Sequence, residues 1–202
     1  MSPGRGGAIA LTFDDGPDVR WTPAVLDALR DADARATFFV MAERAVAHPQ
    51  LIARARSEGH AVELHCVRHV RHAELTDEEL EQDTATGLTM LGGLGVRPRL
   101  WRAPWGTVRD HSHVVASRHD LRLVHWTADT EDWAGAPADE LVRRVWPELG
   151  PGTIVLAHDG LGPGATREDC AQTVAMIEPL VSAARARGLR CEPLGRDGEP
   201  LA

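Results

Sequence analysis

The sequence has no tyrosine, only three phenylalanines and only three cysteines. Cys66, Cys170 and Cys191 are scattered and odd in number. That excludes a disulfide framework and fits a reducing compartment, so the expected location is the cytoplasm. No apolar run reaches about 18 residues, so no spanning helix is expected. The opening stretch "MSPGRGGAIALTF" lacks the apolar core and cleavage pattern of a signal peptide, and a secreted protein trimmed of its leader is the alternative to the cytoplasmic expectation. Positive charge is also short: the formal net charge is −8. That argues against a nucleic-acid surface and against an anionic membrane. Internal repeats, low-complexity segments and linkers are missing as well, so residues 1–202 are read as one domain.

What is present is a globular composition, 43% hydrophobic and 26% charged. Strand-like runs recur at 8–13, 36–40, 61–65, 99–103, 121–127, 153–158 and 189–194. Helical periodicity marks roughly 22–33, 43–58, 77–92, 109–118, 138–148 and 168–187. Thr76 and Glu79 have capping-box spacing. Gly59 and Gly188 stand just past helical runs. Strand and helix in alternation predict parallel βαβ units in an α/β fold. Periodicity alone leaves open a doubly wound sheet or a barrel.

The reactive residues fall at strand C-terminal ends, which share one rim in such folds. Asp14 and Asp15 follow the first strand, and His65 ends the third with His69 behind it. Arg102 and Pro104 end the fourth, Asp129, Asp132 and Trp133 follow the fifth, and His158 ends the sixth. Ten histidines invite a search for metal ligands, although most have a bland surface reading. Zinc commonly takes three His or carboxylate ligands and leaves one position open. His65, His69 and one of the two aspartates supply such a set, and His72 is read as a pocket or surface residue. Two adjacent carboxylates repel unless a cation lies between them. One then binds metal and the other serves as general base beside an activated water. Gly16 and Pro17 are read as the bend that turns both toward the rim, and Arg102 as the partner that keeps the base ionised.

With these residues in order, the sequence resembles the polysaccharide deacetylase (NodB-homology) family of carbohydrate esterases. "TFDDG" (12–16), "HCVRH" (65–69), "RAPWG" (102–106), "DTEDW" (129–133) and "LAH" (156–158) stand for its five ordered motifs. The resemblance implies a distorted (β/α) barrel of about seven parallel strands with outer helices. It implies metal-dependent removal of an N-acetyl group from an amino sugar, oligosaccharide or sugar-bearing metabolite. It assigns Asp15, His65 and His69 to a divalent metal, most often zinc, with cobalt, nickel or manganese as alternatives. It makes Asp14 the base, Arg102 its partner and His158 the acid, held protonated by Asp132. The Trp105 backbone binds the oxyanion, and Trp133 and Leu156 form a wall for the acetyl methyl. Pro104 and His72 complete the expected substrate-binding set.

Departures from the family pattern are also visible. Cys66 stands where a hydroxyl is usual, and a thiol is a weaker donor, so the metal loop is expected to be less firmly held. Readings of Cys66 as an extra ligand or nucleophile are disfavoured because the Asp-His-His set is complete without it. Arg71 and His72 lie in an unusual "VRHAEL" run that is expected to border the pocket, where both are candidates to read an unusual substrate, and His111 and His113 have no assigned role. "GLGPG" (160–164) is read as a flexible lip rather than the phosphate loop of an isomerase barrel. The alternatives carried forward are hydrolysis of another C–N bond, imide or ureido, and a non-catalytic sugar-binding module.

Overall fold

A computed structural model describes residues 7–201. It contains β1 (Ala8–Asp14), α1 (Trp21–Asp31), β2 (Ala36–Met41), α2 (Ala42–Ala47), α3 (Pro49–Ser57), β3 (Ala61–Cys66) and α4 (Asp77–Gly93). Then follow β4 (Leu100–Trp101), α5 (Asp110–Arg118), β5 (Arg122–Leu123), β6 (Ala128–Asp129), α6 (Ala138–Val145), β7 (Ile154–His158), α7 (Ala171–Ala186) and β8 (Arg190–Cys191). The strands run parallel in the order β5-β4-β3-β2-β1-β7-β6, with β8 joined to the start of β1. This is the expected distorted barrel: a sheet curled into a half-barrel with helices outside.

The strands are buried on both faces, and their period of two sorts the side chains. Ile9, Leu11 and Phe13 join Phe38, Val40, Leu64, Trp101, Val155 and Ala157 in the layer shared with the helices. Ala10, Phe39, Leu100, Val124 and Ile154 form a separate cluster inside the barrel. Thr12, Asp14, His65, Arg102, Leu156 and His158 alternate in step with that inner set, so the pleat itself aims them into the barrel mouth.

Three expectations are corrected. The run 121–127 is not one strand. Its start pairs with β4 (Val124 N to Trp101 O, 3.0 Å) and its end with β7 (Thr127 N to Ile154 O, 2.9 Å), at opposite edges of the sheet. The chain therefore crosses the open side of the barrel, and no straight strand reaches both edges. The segment 43–58 is two helices, because Pro49 lacks an N–H and displaces His48 from helical geometry (φ −131°, ψ 56°). The last long helix starts at Ala171 rather than 168. Elsewhere the signals were local and the structure matches them: Thr76 and Glu79 form the reciprocal capping box, and Gly59 and Gly188 take positive φ.

Two buried polar side chains replace missing ladder partners. Glu63 accepts from Arg99 N and Leu100 N (2.7 and 2.8 Å) and so starts β4. Burial pushes its carboxyl up to about 7. His60 Nδ1 accepts from Ala36 N (3.1 Å) at the start of β2, and burial pushes its pKa down to about 4, so the ring is neutral.

Candidate active site

Strand alternation should send Asp15 away from Asp14. It does not, because Asp15 itself is left-handed (φ 72°). Aspartate tolerates that region better than most residues. The reversal falls one residue earlier than the Gly-Pro bend expected from sequence, and it brings both carboxylates to one rim. Trp105 (φ 53°) and Glu131 (φ 51°) are left-handed in two further turns at the same end of the sheet. Backbone strain of this kind gathers at functional sites.

The "GLGPG" stretch is not a free lip. Arg44 donates to Asp15 O (2.8 Å) and Leu161 O (3.1 Å), binding the two turns together. A Cβ at Gly162 would overlap the Asp15 carboxylate, so only glycine lets this segment lie against that group.

Asp15, His65 and His69 present three ligand atoms within 4.8 Å of one another. Asp15 Oδ1 lies 3.4 Å from His65 Nε2 and 3.2 Å from His69 Nε2. With metal–ligand bonds of about 2.0–2.1 Å, ligand atoms of a tetrahedral zinc site lie roughly 3.3 Å apart. Asp15 Oδ1 is buried and has no hydrogen-bond partner among the described residues. The donor set and the orphaned oxygen fit a divalent cation. His65 Nδ1 donates to Arg102 O at 2.7 Å, which fixes the ring with Nε2 toward the cluster. Burial pushes the Asp15 pKa up, but the facing imidazoles outweigh it and hold the carboxyl well below its usual range.

Asp14 is 4% exposed and Arg102 is fully buried. Arg102 Nη1 donates to Asp14 Oδ1 (2.9 Å) and Thr12 Oγ1 (2.7 Å), and Nη2 to His125 O (3.1 Å). The guanidinium also lies 4.2 Å over the Phe39 ring. Asp14 is thus held and oriented beside the cluster by Arg102.

Across the mouth, His158 Nδ1 donates to Asp132 Oδ1 at 2.7 Å. Burial alone would depress the His158 pKa, but the Asp132 charge and hydrogen bond raise it to about 9. Asp132 Oδ2 also accepts from Arg167 Nη1 (2.7 Å), Thr173 Oγ1 (2.6 Å) and His158 N (3.0 Å). Arg167 Nη2 further donates to the carbonyls of His158 and Gly160. A raised histidine pKa means that the pair stabilises the fold fully below the unfolded value of 6.5 and loses that contribution as pH rises through about 9. For activity the same shift keeps the proton on His158 at neutral pH. Asp132→Asn is expected to move the alkaline limb of the kcat–pH profile down toward the ordinary histidine range. Turnover at pH 8 relative to pH 6 should then drop by on the order of tenfold. An alkaline limb that stays in place would refute this role for Asp132.

The cavity between these groups holds about 440 Å³. Asp14, Asp15, His65, His69, Trp105, Trp133, Leu156 and His158 line it as expected. Arg102 and Asp132 stand behind it and act through Asp14 and His158, and Pro104 lies buried in the turn that presents Trp105. His72 is corrected: it is 2% exposed and lies outside the cavity lining. Its ring contacts Ser112 Oγ (3.0 Å) and packs against Trp101 (4.8 Å), where burial pushes its pKa down to about 4. Cys66 is buried outside the cluster, with burial pushing its thiol pKa well up, so neither a ligand nor a nucleophile is placed there. His111 faces Asp77 (3.3 Å) and His113 is exposed; neither lines the cavity. Sequence reasoning missed Trp126 and Arg167 as lining residues, whereas Arg71, expected to border the pocket, does line it, with its guanidinium 4.1 Å over Trp105. Trp126 carried a signal, being an inward position in a run already marked as strand. Arg167 carried none.

Asp14 with Arg102 and His158 with Asp132 flank an Asp-His-His cluster on a curled parallel sheet, and fold and site together define a hydrolase of the carbohydrate deacetylase class. The chain belongs to the polysaccharide deacetylase family, whose model matches residues 2–124. It is 37% identical over 199 residues to a chitooligosaccharide deacetylase of Bradyrhizobium, covering 93% of this chain and 89% of that one. It is 32% identical over 180 residues to a peptidoglycan-N-acetylglucosamine deacetylase of Bacillus cereus, covering 89% of this chain but only 65% of that longer protein. The structure of a family 4 carbohydrate esterase from Streptomyces lividans, in complex with acetate, superposes with a TM-score of 0.88 at 28% identity, covering 97% of each chain. Deacetylases of this family are metal-dependent, and Asp15, His65 and His69 are the site this chain offers for the metal.

Proposed function

We propose that the protein hydrolyses the N-acetyl group of an N-acetylglucosamine-type residue, releasing acetate and leaving a free amine. The observation that carries this reading is the opposed pair across the cluster: an arginine-held Asp14 on one side and a proton-bearing His158 on the other. Asp15, His65 and His69 would hold zinc, whose positive charge would polarise the amide carbonyl and acidify a water. Asp14 takes the proton as that water adds to the carbonyl carbon. The Trp105 N–H is assigned to the developing oxyanion. His158 gives its proton to the nitrogen as the C–N bond breaks, so the leaving group is a neutral amine, and Asp132 and Arg167 hold the imidazole in place. Trp133 and Leu156 face the acetyl methyl.

The cavity volume lies toward the low end of the 300–1,000 Å³ range of small-molecule sites. That supports a short oligosaccharide or a chain end as substrate. A non-catalytic sugar-binding role is disfavoured, since acid and base are both in working positions.

The test is acetate release from N-acetylglucosamine, its oligomers and peptidoglycan fragments, using enzyme as prepared, stripped by chelator and reloaded with zinc. Release from short oligomers, lost on stripping and restored by zinc, is expected. Release that survives verified metal removal would overturn the metal assignment. Cleavage of imide or ureido substrates, with no acetate from any amino sugar, would favour the other C–N chemistry.

A further inference from the structure

The two histidines of "HCVRH" are held very differently. His65 belongs to β3 and is fixed from two sides: its Nδ1 donates to Arg102 O (2.7 Å) and its carbonyl accepts from Trp101 Nε1 (3.0 Å). His69 lies beyond the strand, in irregular chain. Its Nδ1 is buried and has no hydrogen-bond partner among the described residues. A metal-binding histidine usually has an acceptor at that atom to set its ring. Here the ring has an edge contact with Trp105 (4.1 Å) and faces His65 and the Asp15 carboxylate within the cluster, and no acceptor at Nδ1 among the described residues sets its orientation from behind, so its placement depends on the backbone that carries it.

That backbone is gripped from α4. Asp83 Oδ2 accepts from Val67 N (3.1 Å) and Oδ1 from Arg68 N (3.4 Å), one oxygen for each of the two amides that lead into His69. The helix beneath is anchored by its capping box, and Gly87 lets it approach Leu64 and Val67 closely. The Cys66 thiol makes no hydrogen bond among the described residues, so it does not share the task.

We infer that Asp83 is a positioning residue for the metal site: its carboxylate sets the loop that delivers His69. This rests on the reading of Asp15, His65 and His69 as metal ligands. Asn at this position keeps the shape but offers one acceptor and turns an NH₂ toward an N–H; Ala offers none.

The test measures zinc affinity by competition with a chromophoric chelator, for the parent, Asp83→Asn, Asp83→Ala and Cys66→Ser, each also melted in its metal-free form. Asp83→Asn is expected to weaken zinc about 10- to 100-fold, the usual loss for an outer-shell partner. Its kcat at saturating zinc should stay near that of the parent, and Cys66→Ser should bind zinc as the parent does. Should the alanine variant fail to fold, the near-isosteric asparagine variant decides. A parent that binds zinc alongside an Asp83→Asn variant of equal affinity overturns the inference alone, even if the variant melts lower. A parent that binds no zinc overturns the metal-site reading and the inference with it.

Discussion

Asp14→Asn is expected to fold, to bind zinc, and to lose about 10²- to 10⁴-fold in kcat, the range for removal of a positioned general base. The substitution changes one atom, and the amide oxygen can still accept from Arg102 Nη1, which donates to Asp14 Oδ1 in the parent at 2.9 Å. What it removes is the ability to take a proton. Asp15, His65 and His69 are untouched, so zinc affinity should stay near the parental value and KM should move far less than kcat. The measurement is acetate release on a short N-acetylated oligomer at saturating zinc, with the metal content determined on the same sample. Turnover comparable to the parent would show that another group accepts the proton. The adjacent carboxylate offers the contrast: Asp15→Asn should act first on zinc affinity and only through it on rate.

Arg102→Met is expected to cost about 3–5 kcal/mol of stability, because it leaves one partner of a buried ion pair without the other. Arg102 is wholly buried and its guanidinium satisfies Asp14, Thr12 Oγ1 and the His125 carbonyl together. For a chain of this size that corresponds to roughly a 10 °C fall in Tm. Thermal unfolding of the metal-free protein measures it. The loss should be largely recovered in Arg102→Met combined with Asp14→Leu, which removes the stranded charge as well. Additive losses in the double variant would mean that the arginine acts by packing on Phe39 rather than by neutralising Asp14.

How much of this was legible in the sequence depended on the range of the signal. The residues proposed as acid, base and metal ligands were readable because each sits at or just past the end of a strand-like run, and parallel strands bring their ends together wherever they lie in the chain. The alternation that aims Thr12, Arg102 and Leu156 inward is equally local. The orientation of Asp15 was readable only in part: two neighbouring strand residues point apart, and what unites them is a left-handed φ at Asp15 that no pattern announces. The run 121–127 misled because its composition is strand-like, whereas its course is set by two edges it must join. His72 misled because proximity to a metal ligand in sequence was read as proximity in space, and the chain after His69 carries it under Trp101 instead. Arg167 and Asp83 were invisible for a further reason. Asp83 acts on amides 15 and 16 positions away and Arg167 on Asp132 at 35 positions, through hydrogen bonds set by tertiary placement, and an arginine or aspartate on a helix or loop has no local mark that separates such a role from solvation.

The crossing of residues 124–127 has a consequence for behaviour in solution. Sheet edges are where proteins recruit strands from their neighbours and begin to aggregate. Here both outer strands, β5 and β6, are two residues long and are consecutive along the chain, so the same short segment that starts one edge finishes the other. A neighbouring molecule meets two stubs joined by a crossing loop rather than a row of unpaired amides. The open side of the curled sheet is thereby kept from serving as a template for self-association.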